Sequence, residues 1–206
     1  MKRGILLINL GTPAAPTATA VRPFLRRFLS DRRVITLPRA LWKPILELMI
    51  LPHRPKKSAA MYQQIWTEAG SPLATYTTQQ VASLQERFPA ALVRAAFSYS
   101  QPLIADQLAA LEEAGVDALT IIPLYPQYST TTVGSVLDEV TAFYHQRQRV
   151  PSLQVVTSFY HHPTYLDLLA AKIKAAWQAG DYQQLIVSYH GLPASYVAKG
   201  DPYAAQ

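Results

Sequence analysis

The chain has 206 residues, of which 50% are hydrophobic and 16% are charged, and its formal net charge is +6. These values are typical of a globular protein that buries a core. The chain contains no cysteine, which excludes disulfides, thiolate zinc sites and cysteine-ligated iron–sulfur clusters. The positive charge favours anionic partners, but its basic residues are scattered along predicted helices without interleaved aromatic residues, which argues against nucleic acid binding.

The hydrophobic residues form no run long enough to span a bilayer. The first three residues, Met1, Lys2 and Arg3, lead directly into an apolar segment that is typical of a strand and not of a signal peptide. We therefore expect a cytoplasmic protein.

The first part of the chain predicts one buried strand followed by several helices. GILLINL, residues 4–10, is a continuous apolar run that ends at a Gly-Thr-Pro turn, as in a strand buried on both faces. Pro23 falls in the first turns of the next predicted helix, where proline is tolerated, and Thr77 or Thr78 is the predicted N-cap of a later one. Apolar residues at helical spacing predict helices in TATAVRPFLRRFLSD, RALWKPILELMILP, PKKSAAMYQQIW and TTQQVASLQERF.

From residue 91 the pattern changes to strands that alternate with helices. The predicted strands are ALVRAAFSYS, DALTIIPLYP and LQVVTSFY. The predicted helices are PLIADQLAALEEAG, closed by Gly115, then STTTVGSVLDEVTAFYHQ, and HPTYLDLLAAKIKAAWQAG, closed by Gly180. This alternation predicts an α/β fold with a doubly wound parallel sheet.

The last predicted strand lies close to the end of the chain. LIVSY, residues 185–189, reads as another buried strand, yet only 17 residues follow it, too few for a further strand–helix–strand unit. We therefore predict an N-terminal domain over residues 1–160 and an incomplete second α/β domain over residues 161–206. Because a lone strand leaves its backbone groups unpaired, we expect the segment after Gly180 to be loose or self-associating.

Ligands bind parallel sheets outside the carboxyl ends of the strands, and three loops here occupy such positions. They are NLGTP, LYPQYSTTT and YHGLP, the last of which contains His190. Each is weak evidence by itself: a lone histidine is more often structural, LGTP lacks the dinucleotide fingerprint, and STTT is most simply a helix N-cap. Together the three loops predict a ligand site.

Several motifs occur in one order along the whole chain: GILLINLGTP, FLSDRRVI, GSPL, LYPQYSTTTVGS, SYHGLP and KGDPY. In this combination the chain resembles the ferrochelatase family. The resemblance implies two Rossmann-like halves of similar topology with a porphyrin cleft between them. It also implies a lyase that inserts ferrous iron into protoporphyrin, the last step of haem formation. Porphyrin and iron would be substrates, with no permanently bound cofactor and no nucleic acid partner, and we expect a monomer.

The resemblance also assigns roles to individual residues. His190 corresponds to the catalytic, iron-binding histidine of the family, and a neutral imidazole near pH 7 suits either proton acceptance or iron ligation. Arg54 would face a propionate, Tyr62 would contact the macrocycle, and Ser71 would add a hydrogen bond. Without the resemblance, Arg54 and Lys57 are more simply a solvated helix face and Tyr62 a core residue. The implied cleft floor consists of Asn9, Leu10, Thr12, Tyr125, Gln127, Ser129, Thr130, Thr131 and Thr132.

Two features refine the resemblance. In the branch of the family that acts on coproporphyrin, a tyrosine stands where this chain has Leu10, which favours protoporphyrin here. The apolar segment 41–52 resembles the hydrophobic lip of the family and would give peripheral membrane contact. The basic residues within and beside it are Arg39, Lys43, Arg54, Lys56 and Lys57. A core helix explains the same segment equally well.

The chain departs from the family at its C-terminal end. The family has a glutamate that faces the histidine across the ring, and it lies beyond the last residue here; Asp201 does not match it. We therefore expect a C-terminally truncated chain that is inactive by itself. The alternatives are a non-catalytic porphyrin- or haem-binding remnant, a coproporphyrin-type ferrochelatase, and a cobalt chelatase for sirohydrochlorin, against which the apolar lip argues.

Overall fold

The computed structural model describes all 206 residues and contains one parallel four-stranded sheet. Its strands are β1 (Arg3–Asn9), β2 (Ala91–Phe97), β3 (Ala118–Pro123) and β4 (Ser152–Val155), in the order β2-β1-β3-β4. Every neighbouring pair is parallel, with Ile8 opposite Ala96 on one side and Pro123 on the other. The predicted α/β fold is confirmed.

Helices connect these strands and follow the last of them. They are α1 (Ala18–Leu29), α2 (Arg39–Ile45), α3 (Arg54–Ile65), α4 (Pro72–Arg87), α5 (Ile104–Glu113), α6 (Ser135–His145), α7 (Pro163–Gln178) and the short α8 (Ala194–Ala198). The chain also has two π-helical turns. The first, π1 (Leu46–Ile50), continues α2, and the second, π2 (Thr130–Gly134), leads into α6. The sheet and the helices packed against it hold the loops that follow β1, β2 and β3 at the carboxyl edge of the sheet.

Strand β1 is central because it is apolar on both faces, as its sequence predicts. Leu6 and Ile8 are fully buried in a core formed with α5 and α6. Leu7 points the other way, is 4% exposed, and lines a cleft with residues of α4. Helices therefore cover the sheet on opposite faces, and the carboxyl end of β1 lies in the middle of the sheet edge.

A second core lies among the N-terminal helices. It joins α1, α2, π1 and α3, and the indole Nε1 of Trp42 donates a hydrogen bond to the Leu29 carbonyl at 2.7 Å. Trp42 and Leu46 face inward, whereas Leu41, Leu48 and Met49 on the same segment are 64–74% exposed. The segment 41–52 is thus a core element on one side and an apolar surface on the other. The chain has no helix with both the length and the apolarity needed to cross a membrane.

The predicted N-cap at Thr77 or Thr78 is wrong. Helix α4 begins at Pro72, with Ser71 at the N-cap position, because proline is well suited to a first helical turn. Thr77 lies inside the helix, is 1% exposed, and donates its hydroxyl proton to the Leu73 carbonyl at 2.7 Å. Strand β4 is also shorter than predicted and ends at Val155.

The predicted strand over residues 185–189 does not form. These residues are exposed, Ile186 by 80%, and no strand pairs with them. A strand needs a neighbouring strand to satisfy its backbone groups, and residues 185–189 have none.

Helix α7 has no buried residue. The expectation of a loose segment after Gly180 is wrong for its last part, because Asp201 is buried. The domain division at residue 160 stays a prediction.

Candidate functional site

The loops that follow β1, β2 and β3 meet at the carboxyl edge of the sheet. The Leu124 amide donates to the Ile8 carbonyl at 2.7 Å, which places the loop after β3 beside the end of β1. On the other side, the amides of Ser98 and Tyr99 donate to the carbonyls of Asn9 and Leu10 at 3.0 and 3.1 Å. The β1 loop is therefore enclosed by the other two, as the parallel topology predicts.

The loop after β1 is held tightly by its neighbours. The Asn9 carboxamide accepts from the Leu10 amide at 2.8 Å and donates to the Thr77 hydroxyl at 3.2 Å. The Thr12 amide donates to Ser100 Oγ at 3.1 Å, while the buried Thr12 Oγ1 has no hydrogen-bond partner. Leu10 packs against the helical core. Of these residues, Thr12 presents an unsatisfied buried polar atom beside a cavity of about 270 Å³.

His190 lies on a different cavity at the same edge, formed by the loop after β3 and the C-terminal segment. The volume of this cavity is about 250 Å³. The His190 side chain is exposed and makes no hydrogen bond within the protein, so both ring nitrogens are accessible. The residues that line the cavity are Tyr125, Pro126, Gln127, Ser129, Thr131, Thr132, His190, Leu192 and Tyr203. The structure thus brings His190 together with predicted residues of the β3 loop.

Tyr125 contributes a neutral hydroxyl to this cavity. Burial raises the pKa of its phenol above the ordinary value, since the charged form would be poorly solvated. The side chain therefore remains protonated at neutral pH and can donate a hydrogen bond. Gln127 is half-buried, and its Nε2 donates to the Tyr203 carbonyl at 3.3 Å. The cavity is lined by aromatic and apolar side chains together with amide, hydroxyl and imidazole groups, and no Asp, Glu, Lys or Arg side chain lines it.

The predicted residues on α3 and α4 lie apart from the His190 cavity and line none of it. Arg54, the first residue of α3, is exposed and forms no salt bridge. Tyr62 packs edge-on against Phe24 and Trp66, with ring centroids 6.4 and 6.3 Å apart, and burial raises the pKa of its phenol. Ser71 is buried at the start of α4 without capping it through its side chain.

The chain has no cluster of three or more histidine, aspartate or glutamate side chains that could hold a metal ion. On the His190 cavity an incoming ion would meet one imidazole together with phenol, amide and hydroxyl groups. Such a wall can contact a metal that is already bound to another nitrogen-rich ligand. It cannot enclose a resident ion by itself.

The sequence analysis did not predict that Asp201 supports the β3 loop beside the His190 cavity. Asp201 is 6% exposed, and its carboxylate accepts hydrogen bonds from the Ser129 hydroxyl at 3.0 Å and the Thr130 amide at 2.6 Å. Its motif, KGDPY, was recognisable, but nothing local in the sequence indicates a contact with residues more than 70 positions away.

The comparison with known proteins decides the family. The chain matches the ferrochelatase family over residues 2–206. It belongs to the ferrochelatase family. Its relatives include the ferrochelatases of Teredinibacter turnerae, 47% identical over 100% of this chain and 58% of the relative, and of Azoarcus sp., 46% identical over 98% and 57%. The coproporphyrin III ferrochelatase of Enterococcus faecalis is 47% identical over 98% of this chain and 65% of the relative.

This ferrochelatase-family chain spans 57–65% of the length of these curated relatives. Their remaining 35–43% has no counterpart among the 206 residues.

Proposed function

We propose that this chain is the N-terminal part of a ferrochelatase that inserts ferrous iron into a porphyrin. The observation that carries the proposal is the position of His190, an exposed imidazole free of internal hydrogen bonds, on a cavity beside the carboxyl ends of β1 and β3. The family membership of the chain supports it.

In the proposed reaction, the main task of the protein is to position the porphyrin, the ferrous ion and a proton acceptor. A ferrous ion enters the ring as two pyrrole N–H protons leave, and the iron keeps its oxidation state. A neutral imidazole with an accessible lone pair can take one of these protons or hold the ion as it sheds water. Because His190 can bind one proton at a time, the second proton must pass to water or to another base. We propose that the missing part of the protein supplies that base.

The His190 cavity can receive only part of a macrocycle. Its volume of about 250 Å³ falls below the ~300–1,000 Å³ of typical small-molecule pockets. We propose that one edge of the disc enters it and that the second domain of the complete protein, expected after residue 160, covers the opposite face. The propionates would then reach exposed cations, for which Arg54 is our candidate.

We expect Arg54→Ala to weaken porphyrin binding by about 1–3 kcal/mol, since a carboxylate–guanidinium pair is a charge-assisted hydrogen bond. Fluorescence titration of the complete protein with protoporphyrin would measure the change. Lys56→Ala is the matched control, because this exposed lysine lies two residues further along α3 and points away from the face that carries Arg54; it should leave the affinity nearly unchanged. An equal loss for a porphyrin with esterified propionates would show that Arg54 acts elsewhere.

We propose protoporphyrin as the natural substrate because Leu10, and not a tyrosine, follows β1. Overall similarity does not separate the branches, as the relatives named for coproporphyrin and those named simply ferrochelatase are equally similar. Anaerobic insertion of ferrous iron into protoporphyrin and coproporphyrin by the complete protein would decide between them, with sirohydrochlorin and cobalt in parallel. The same assay on the 206 residues alone tests the alternative of a non-catalytic porphyrin-binding remnant.

We also propose that the exposed side of segment 41–52 contacts lipid. Leu41, Leu48 and Met49 form an apolar surface there, with Arg39 and Lys43 beside it. Such a surface would shorten the passage of an insoluble porphyrin from a membrane to the site. Co-sedimentation with anionic vesicles, compared with Leu48→Glu, would test this contact.

A further inference from the structure

We infer that Asp201 is a positioning residue that fixes the β3 loop and His190 against each other. This inference rests on the proposed function, because it concerns the same cavity. It gives Asp201, which does not match the glutamate of the family, a structural role at the site. The argument starts from the contacts of residues 127–130.

Each of residues 127–130 forms a hydrogen bond with the last six residues of the chain. Gln127 donates to the Tyr203 carbonyl, and the Tyr128 amide donates to Gln206 Oε1 at 2.7 Å. The Ser129 hydroxyl and the Thr130 amide both donate to Asp201 Oδ2, at 3.0 and 2.6 Å. We call residues 201–206 the C-terminal clamp. A loop whose consecutive polar groups all bind one segment has a single well-defined position relative to it.

The carboxylate of Asp201 is the anchor of this clamp. It is buried, forms no salt bridge, and accepts from the Tyr203 amide at 3.0 Å through its other oxygen. Its Oδ2 lies against the first turn of π2, which continues into α6 as far as His145. The partial positive charge at a helix N-terminus stabilises an anion at this position, which explains a buried carboxylate without a cationic partner.

The clamp also fixes the segment that carries His190. Between His190 and Asp201 the chain is attached at Tyr196, whose hydroxyl donates to the Arg33 and Val34 carbonyls at 3.0 and 3.3 Å. The Arg33 side chain in turn binds Asp138 on α6 at 2.6 Å. The two ends of the segment from 190 to 203 therefore lie on the same cavity, since His190 and Tyr203 both line it.

Asp201 thus connects the β3 loop to the segment that carries His190, and both parts of the chain line the cavity. Removing its carboxylate leaves the Thr130 amide and the Ser129 hydroxyl without their acceptor. The β3 loop and the His190 segment are then free to separate. The expected defect is local and falls on the cavity, because the sheet and its core contain none of these contacts.

The test uses Asp201→Ala, the isosteric Asp201→Asn, and Ser129→Ala, with the exposed Asp181→Ala as the matched control. In Asp201→Ala we expect roughly tenfold faster hydrogen exchange in residues 127–134 than in the unsubstituted chain, with β1 and β3 unchanged. The Cε1–H signal of His190 should shift in the NMR spectrum, and the dissociation constant for protoporphyrin should rise roughly tenfold. Asp201→Asn should give intermediate values.

A positioning role also predicts non-additivity. Ser129→Ala added to Asp201→Ala should weaken protoporphyrin binding no further, because both changes remove the same contact. If Asp201→Ala fails to fold, Asp201→Asn and Ser129→Ala carry the same comparison. Unchanged exchange in residues 127–134, or an unmoved His190 signal with normal affinity, would overturn the inference. If the complete protein binds no protoporphyrin, the proposed function fails, whereas hydrogen exchange and the His190 signal still decide the role of Asp201.

Discussion

His190→Ala in the complete protein should reduce the rate of iron insertion by roughly 10²–10⁴-fold, the usual contribution of a positioned proton acceptor. The imidazole is the only histidine side chain on its cavity and makes no hydrogen bond within the protein, whereas burial raises the pKa of the Tyr125 phenol and keeps it protonated. The affinity for porphyrin should change little, since the disc is held by its apolar faces and its propionates. Turnover and porphyrin titration of the same preparation would separate the two effects.

His145→Ala provides the control for this experiment. His145 is exposed and ends α6, whereas the His190 cavity lies at the opposite end of the same helical unit, where Thr131 and Thr132 of π2 line it. Its removal should leave both turnover and affinity unchanged. Near-normal turnover by His190→Ala would refute the assignment, and an equal loss in His145→Ala would indicate damage to the fold. Replacement of His190 by glutamine would show whether a neutral ligand without basicity retains any activity.

The sequence predicted the sheet because its inner strands β1 and β3 are rich in apolar residues, whereas the exposed edge strand β4 was predicted too long. GILLINL was predicted to be a strand buried on both faces, and β1 lies between β2 and β3 in the sheet. The same reasoning failed for residues 185–189, because an apolar run forms a strand only where a neighbouring strand exists. The N-cap at Thr77 was wrong for a related reason: a local signal was chosen although Pro72 allowed the helix to begin earlier.

The site was predictable to the extent that it depends on topology. The loops after β1 and β3 had to meet, and the structure places Leu124 beside Ile8. The role of Asp201 was not predictable, because its partners Ser129 and Thr130 lie 72 and 71 positions away and no periodicity records such a contact. Arg54 and Tyr62 were proposed only through the family resemblance, and neither of them lines the His190 cavity.

A second large effect is expected from Gly11→Ala, in the loop that follows β1. Gly11 has a φ of +100°, a conformation that L-residues rarely adopt. A Cβ at this position would lie 2.5 Å from Ser100 Oγ and 3.1 Å from both the Ser100 amide nitrogen and Phe97 Cβ. The hydroxyl cannot move aside freely, because it accepts the Thr12 amide proton at 3.1 Å. The glycine therefore permits the close approach of the β1 and β2 loops.

Gly70→Ala is the matched control for this change. Gly70 has a similar φ of +96°, but no atom lies within 4 Å of its added Cβ. Its substitution should cost about 1–3 kcal/mol of unfolding free energy, from backbone strain alone. Gly11→Ala should cost a further ~1–3 kcal/mol, because the added methyl overpacks a closed contact. Urea denaturation of both variants measures the difference, and equal losses would show that the two loops tolerate a side chain between them.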